Sequence, residues 1–218
     1  MTDAAVIELR GFAISRNDTL LLEPTDMVIA TGERLLITGP SGCGKSTFLK
    51  RLCALEPGNE EQVWLRGEQA ARWEMPKLRK TMAYLPQTPV MLEGSVRDNL
   101  CLGLSLRVYK GMQFSDDRLR DALASVNLDI DLESNATRLS PGQKARVALL
   151  QRLMLTPDVL LCDEPIASLD QENAQLVVRV LAEAGAAGMT QIIVSHQGLP
   201  DLYGRQYRLN QARLELVE

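Results

Sequence analysis

The chain has 218 residues, 45% of them hydrophobic and 24% charged, and carries a formal net charge of -4. That size suits one globular domain, able to bury roughly 70% of its unfolded surface without covalent or metal staples. The acidic balance argues against general nucleic-acid binding, and no apolar run approaches the roughly 20 residues of a membrane span.

The opening segment, MTDAAVIELR, is too acidic and too weakly apolar for a secretion signal. The runs 6–14 and 20–30 alternate in polarity and read as an antiparallel edge sheet. LLIT, at 35–38, is unbroken and apolar, the pattern of a strand covered on both faces. It delivers GPSGCGKST, in which Gly39, Gly44, Lys45 and Ser46 fit GxxxxGK[ST], and a helix-like stretch follows over 45–55. Glycines let the backbone curl so that successive N–H groups point at phosphate oxygens. Lys45 can reach the outer phosphates of a nucleotide, and the Ser46 hydroxyl can ligate Mg²⁺. Pro40, Ser41, Gly42 and Cys43 complete the loop, and Thr47 continues it into the helix.

A short strand at 63–66 precedes Arg72, Lys77, Arg79 and Lys80, a basic cluster that reads as a solvated helix face. The strand at 82–85 delivers Gln87. From 90 to 139 strand patterns vanish and helix dominates, at 95–102 and 116–126, which suggests a helical subdomain over 88–155. In RLSPGQKARVALL, Ser140 and Gln143 form a capping box, Pro141 suits the first helical position, and Gly142 leaves the positive helix end bare. A capped and bare helix start is suited to receiving an anion. VLLC, at 159–162, delivers Asp163 and Glu164; a helix follows over 172–186; IIVS, at 192–195, delivers His196, and 205–217 looks like a hairpin. Cys43, Cys53, Cys101 and Cys162 lack metal-ligand spacing and read as reduced thiols.

In open α/β sheets ligands bind beyond the carboxyl ends of the strands. Here such ends carry the phosphate loop, Gln87, the Asp163–Glu164 pair and His196. Asp163 is placed to orient Mg²⁺ and its waters, and Glu164 to accept a proton from an attacking water. His196 could bond the γ-phosphate and hold that water in line; Gln87 could contact either Mg²⁺ or the water.

GPSGCGKST, Gln87, LSPGQ, VLLCDEP, the SLD of 168–170 and His196 resemble, in order, the motif set of ATP-binding cassette ATPases. The resemblance spans essentially the whole chain, and LSPGQ makes it specific. It implies an α/β fold: a P-loop core with a mainly parallel sheet over 1–87 and 156–218, carrying an antiparallel β subdomain, and the helical signature subdomain. It implies that two copies pair head to tail around two ATP, with Mg²⁺, and hydrolyse it to ADP and phosphate. Ser140, Gly142 and Gln143 of one copy would then grip the γ-phosphate held by the other, with Asp170 at the seam. It further implies a separate multi-span membrane subunit, a peripheral position on the cytoplasmic face of the cell membrane, and a docking region over 88–99 and the helical stretch beyond, where Val90, Met91 and Leu92 are candidate contacts.

The chain departs from the family pattern twice. Pro141 stands where glycine is usual and removes one backbone donor. The expected adenine-stacking position falls near Ile14, and the nearest aromatic, Phe12, is either that ring or part of the core. The small size and loops look most like bacterial cassettes associated with iron efflux. A coiled-coil chromosome ATPase would need a longer insertion before the signature, a translation factor a second cassette, and a nucleotide kinase would leave LSPGQ unexplained. A non-transport or regulatory cassette acting on a soluble partner is the alternative.

Overall fold

The computed structural model describes residues 4–167, 169–196, 199 and 204–217; Ser168 of the SLD triplet lies outside the described residues. In chain order the strands are β1 (Ala5–Arg16), β2 (Thr19–Ala30), β3 (Arg34–Thr38), β4 (Val63–Leu65), β5 (Glu68–Gln69), β6 (Met82–Leu85), β7 (Val159–Asp163), β8 (Thr190–Ser195), β9 (Arg205–Asn210) and β10 (Arg213–Val217). The helices are α1 (Lys45–Leu52), α2 (Met75–Thr81), α3 (Val96–Leu100), α4 (Asp116–Ser125), α5 (Pro141–Leu153) and α6 (Gln171–Ala186), with short 3₁₀ turns between.

The unbroken apolar runs form the centre of a six-stranded sheet ordered β10-β9-β3-β8-β7-β6. Strands β9, β3, β8, β7 and β6 are parallel, and β10 closes the edge antiparallel to β9. Every residue of β7 and β8 is buried. Alternate side chains serve opposite faces, as the two-residue strand period requires. Leu36, Leu160, Cys162 and Ile193 face a core shared with α3, α4, α5 and α6. Leu35, Ile37, Val159, Leu161, Ile192 and Val194 face a second core built on Phe48, Leu49 and Leu52 of α1. The α/β class with a mainly parallel sheet matches the expectation.

The alternating runs form a separate four-stranded antiparallel sheet, β2-β1-β4-β5, which closes over the second core with Ile7, Leu9, Phe12 and Ile14. Its β1–β2 hairpin turns at Asn17 and Asp18, both left-handed at φ 47° and 60°, the geometry a two-residue hairpin demands. The C-terminal hairpin pairs as expected, and β9 also enters the main sheet beside β3. Helix α2 carries Lys77, Arg79 and Lys80 on an exposed face, the solvated helix face expected of the basic cluster: Lys77 covers the Trp73 ring and Lys80 the Tyr109 ring. The four cysteines are free. Among the described residues no helix is long and apolar enough to cross a membrane.

Helix α5 is capped at one end and tied to the main sheet at the other. Ser140 Oγ accepts from the Gln143 N–H at 3.2 Å, and the Ser140 N–H donates to Gln143 Oε1 at 2.9 Å, closing the capping box. At the other end Arg152 Nε donates to the Tyr84 carbonyl of β6 at 2.9 Å. Midway, buried Arg146 donates to the carbonyls of Val126 and Asn127 at 2.9 and 3.1 Å. Burial opposes the charge of both arginines and pushes their pKa down.

Candidate nucleotide site

Parallel pairing puts Thr38 beside Ser195, Asp163 beside Val194 and Leu85 beside Cys162, so the carboxyl ends of β3, β8, β7 and β6 form one rim. A cavity of about 460 Å³ opens there. It is lined by Ser41, Gly42, Gly44, Lys45, Ser46 and Thr47 from the phosphate loop, and by Gln87, Glu164 and His196 from the other strand ends. Residues distant in sequence thus meet as the motif spacing suggested. Arg16, Asn17, Thr19 and Leu21 of the β1–β2 hairpin complete the lining, and sequence reasoning missed them. The Asn-Asp turn between alternating strands was the available signal, but nothing local tells which loop it faces.

The phosphate loop depends on its glycines at two points. A Cβ on Gly39, at φ 153°, would stand 2.3 Å from the Leu209 carbonyl oxygen, and Gly44 turns at φ 109° to start α1. Lys45 is 5% exposed, and its ammonium donates to the carbonyls of Gly39 and Pro40 at 2.8 and 3.0 Å. Gly39, Pro40 and Cys43 therefore support the loop instead of lining the cavity; Cys43 packs against the core under α1.

Asp163, 3% exposed, is the last residue of β7. Ser46 Oγ donates to its Oδ1 and Tyr84 OH to its Oδ2, each at 2.9 Å. Burial foremost, then the adjacent Asp163 charge, pushes the Tyr84 phenol well above its usual range, so it stays a donor. Among the described residues no Lys or Arg pairs with Asp163. A buried carboxylate beside a serine hydroxyl, with no cationic partner, fits a hard divalent ion such as Mg²⁺, and Gln87 could add an amide oxygen. No group of three or more His, Cys, Asp or Glu side chains gathers among the described residues, so such an ion would depend on phosphate oxygens as well.

Glu164 takes a left-handed backbone at φ 49°, an uncommon conformation for a residue with a side chain. It is held there by its N–H on the Val194 carbonyl at 3.0 Å and by the His196 N–H on its Oε2 at 3.1 Å. The other oxygen, Oε1, is buried and 3.1 Å from His196 Nε2, yet has no hydrogen-bond partner among the described residues. His196 Nδ1 lies 3.4 Å from the Lys45 ammonium and 3.3 Å from the Gly39 carbonyl oxygen, contacts that favour opposite tautomers of the ring. The cavity wall therefore holds a carboxylate and an imidazole 3.1 Å apart.

Phe12 corrects one expectation. It is 0% exposed and packs edge-on against Phe48 at 5.4 Å, so it belongs to the core and cannot stack on a base. Strand alternation explains this: Phe12 and Ile14 share the inward face of β1. Ser140, Gly142 and Gln143 do not join the cavity of their own chain. Of the signature donors, the Gln143 N–H is spent on the cap and Pro141 has none, which leaves the Ser140 hydroxyl proton and the Gly142 N–H for an outside anion.

A second cavity, a groove of about 440 Å³, runs between β6 and the helical segment. Leu55, Leu102 and Leu106, each more than 40% exposed, line it with Tyr84, Tyr109 and Leu155. Of the three candidate contacts, Val90 and Leu92 are exposed but do not line it, whereas Met91 is in the core.

The family model described as ABC transporter matches residues 22–167. ABC transporter I family member 17 of Arabidopsis thaliana is 35% identical over 185 residues, 84% of this chain and 69% of its own length. The spermidine/putrescine import ATP-binding protein PotA of Nitratidesulfovibrio vulgaris is 32% identical over 194 residues, 88% of this chain; the chain spans about half of that relative, 52%. Among solved structures, cbiO1 of Clostridium perfringens, part of the ABC transporter complex cbiONQ, superposes with a TM-score of 0.80 at 25% identity, covering 98% of this chain and 88% of its own. A bacterial Atm1-family ABC exporter with ATP bound shares the fold at a TM-score of 0.84 and 22% identity, covering 99% of this chain and 39% of its own.

Proposed function

We propose that this chain, which belongs to the ABC transporter family and is one of its ATPases, dimerises around two ATP to drive transport through a separate membrane subunit. The observation that carries the reading is the Glu164 carboxylate, 3.1 Å from His196 Nε2, in the wall of the same cavity as the glycine cradle and Lys45.

In this mechanism the triphosphate enters the loop, and Lys45 exchanges the Gly39 and Pro40 carbonyls for phosphate oxygens. Ser46, Asp163 and Gln87 would hold Mg²⁺, which when bound would neutralise phosphate charge. Glu164 accepts a proton from the attacking water, and His196 steadies that carboxylate and the γ-phosphate. ADP and phosphate are the products. Ser140 and Gly142 of the second copy complete the grip, so loss of the γ-phosphate releases the pair. The apolar groove takes a helix of the membrane subunit, which would hold the chain at the membrane surface. Efflux of a metal such as iron is the cargo reading, and it rests on the loop sequences alone.

Glu164→Gln tests the site: it should keep ATP binding, lose turnover and accumulate as an ATP-bound dimer on gel filtration. A monomeric, fully active variant overturns the proposal. Leu106→Asp tests the groove: the chain should leave the membrane fraction of its native cells, and unchanged sedimentation refutes the docking site.

A further inference from the structure

Tyr84 lines the apolar groove, and its hydroxyl reaches from β6 to Asp163 Oδ2 at the end of β7, 2.9 Å away. Asp163 Oδ1 accepts from Ser46 Oγ at the same distance. One donor on each oxygen fixes the carboxylate plane, because rotation about its side chain breaks both bonds together. With only the Ser46 bond the plane would be free to swing, and no Lys or Arg among the described residues would restrain it.

We infer that Tyr84 is a positioning residue for the divalent cation: its hydroxyl holds the Asp163 carboxylate, itself bonded to Ser46 Oγ, in the orientation that would receive the metal. The inference rests on the proposed ATPase site. It gives the groove a direct physical link to that site, one side chain long, through a residue of the groove wall. Outer partners of metal-orienting carboxylates set ion affinity by this kind of restraint.

The test is Mg²⁺ titration of the binding of a fluorescent ATP analogue to the full chain. In Tyr84→Phe, which deletes one oxygen and keeps the ring, the half-saturating Mg²⁺ concentration should rise about tenfold. Affinity in EDTA should stay unchanged, as should the thermal midpoint without nucleotide to within a few degrees. In an Asp163→Asn background the same change should add no further shift. A Tyr84→Phe midpoint within twofold of wild type, or a full additional shift in the Asp163→Asn background, overturns the inference while leaving the ATPase reading intact. Wild-type nucleotide binding with no Mg²⁺ dependence overturns both.

Discussion

Replacing Ser140 by two different residues separates its two duties. Its Oγ caps α5, and its remaining proton is the hydroxyl donor left for a partner's phosphate. Ser140→Ala loses the cap, at about 1 kcal/mol, a fall of roughly 2–4 °C in thermal midpoint for a chain this long. Ser140→Asp keeps the cap, since aspartate and serine cap about equally well, so its midpoint should stay near wild type. The aspartate, however, would meet the γ-phosphate with like charge. At about 4 Å and an effective dielectric near 20 this costs about 4 kcal/mol per contact, roughly a thousandfold in dimer affinity, and a symmetric dimer has two such contacts. Sedimentation velocity with ATP, in the non-hydrolysing Glu164→Gln background, reads the association, and calorimetric melting reads the cap. A Ser140→Asp protein that dimerises as tightly as its parent refutes the head-to-tail arrangement. If it melts as low as Ser140→Ala, the cap assignment is refuted instead.

Lys45→Ala should weaken ATP binding at least tenfold, since a charge-assisted hydrogen bond is worth about 1.5–3 kcal/mol; undiminished heats of binding in a calorimeter count against the cradle. Phe12→Ala should lower stability by about 3–5 kcal/mol in urea unfolding, whereas Phe12→Leu should leave the ratio of ATP to GTP affinity unchanged; a shifted ratio would return Phe12 to the base site. Asp116, Asp98 and Asp170 are held below the usual carboxylate range, chiefly by hydrogen bonds from Arg97, from the Ser95 N–H and from the Asn173 N–H respectively. Each folded pKa lies below its unfolded value near about 3.9, so this stabilisation is whole above that pH and fades as pH falls through the folded pKa. Asp170→Asn keeps an N-cap but has no proton to take up, so its melting temperature should fall less steeply below about pH 4; an unchanged slope refutes the assignment.

What could be read from the sequence was whatever a local pattern encodes. The unbroken runs LLIT, VLLC and IIVS announced strands covered on both faces, and the structure puts them side by side. The capping box at Ser140 announced the start of α5 to within a residue, because caps are short-range chemistry. Strand ends carrying polar groups foretold which side chains would share a rim. The failures are non-local. Phe12 reads equally as core or base platform until the four-stranded sheet is seen to close over Phe48. Arg16 and Asn17 border the cavity only because the β1–β2 hairpin reaches the phosphate loop, where Leu21 lies 3.1 Å from the Cβ position of Gly44. The Tyr84–Asp163 bond spans 79 residues and depends on β6 lying beside β7. Helix α1 stops at Leu52, short of residue 55, where Ala54 turns left-handed at φ 53°.

Anchoring α5 at Arg152 makes the helix a lever with its fulcrum at β6. Its 13 residues span about 20 Å at 1.5 Å each. A tilt of about 10° around the pinned end sweeps Ser140 through roughly 3 Å, the span between a made and a broken hydrogen bond. In the proposed head-to-tail pair, motion too slight to disturb the sheet at one end would thus open or shut the seam at the other.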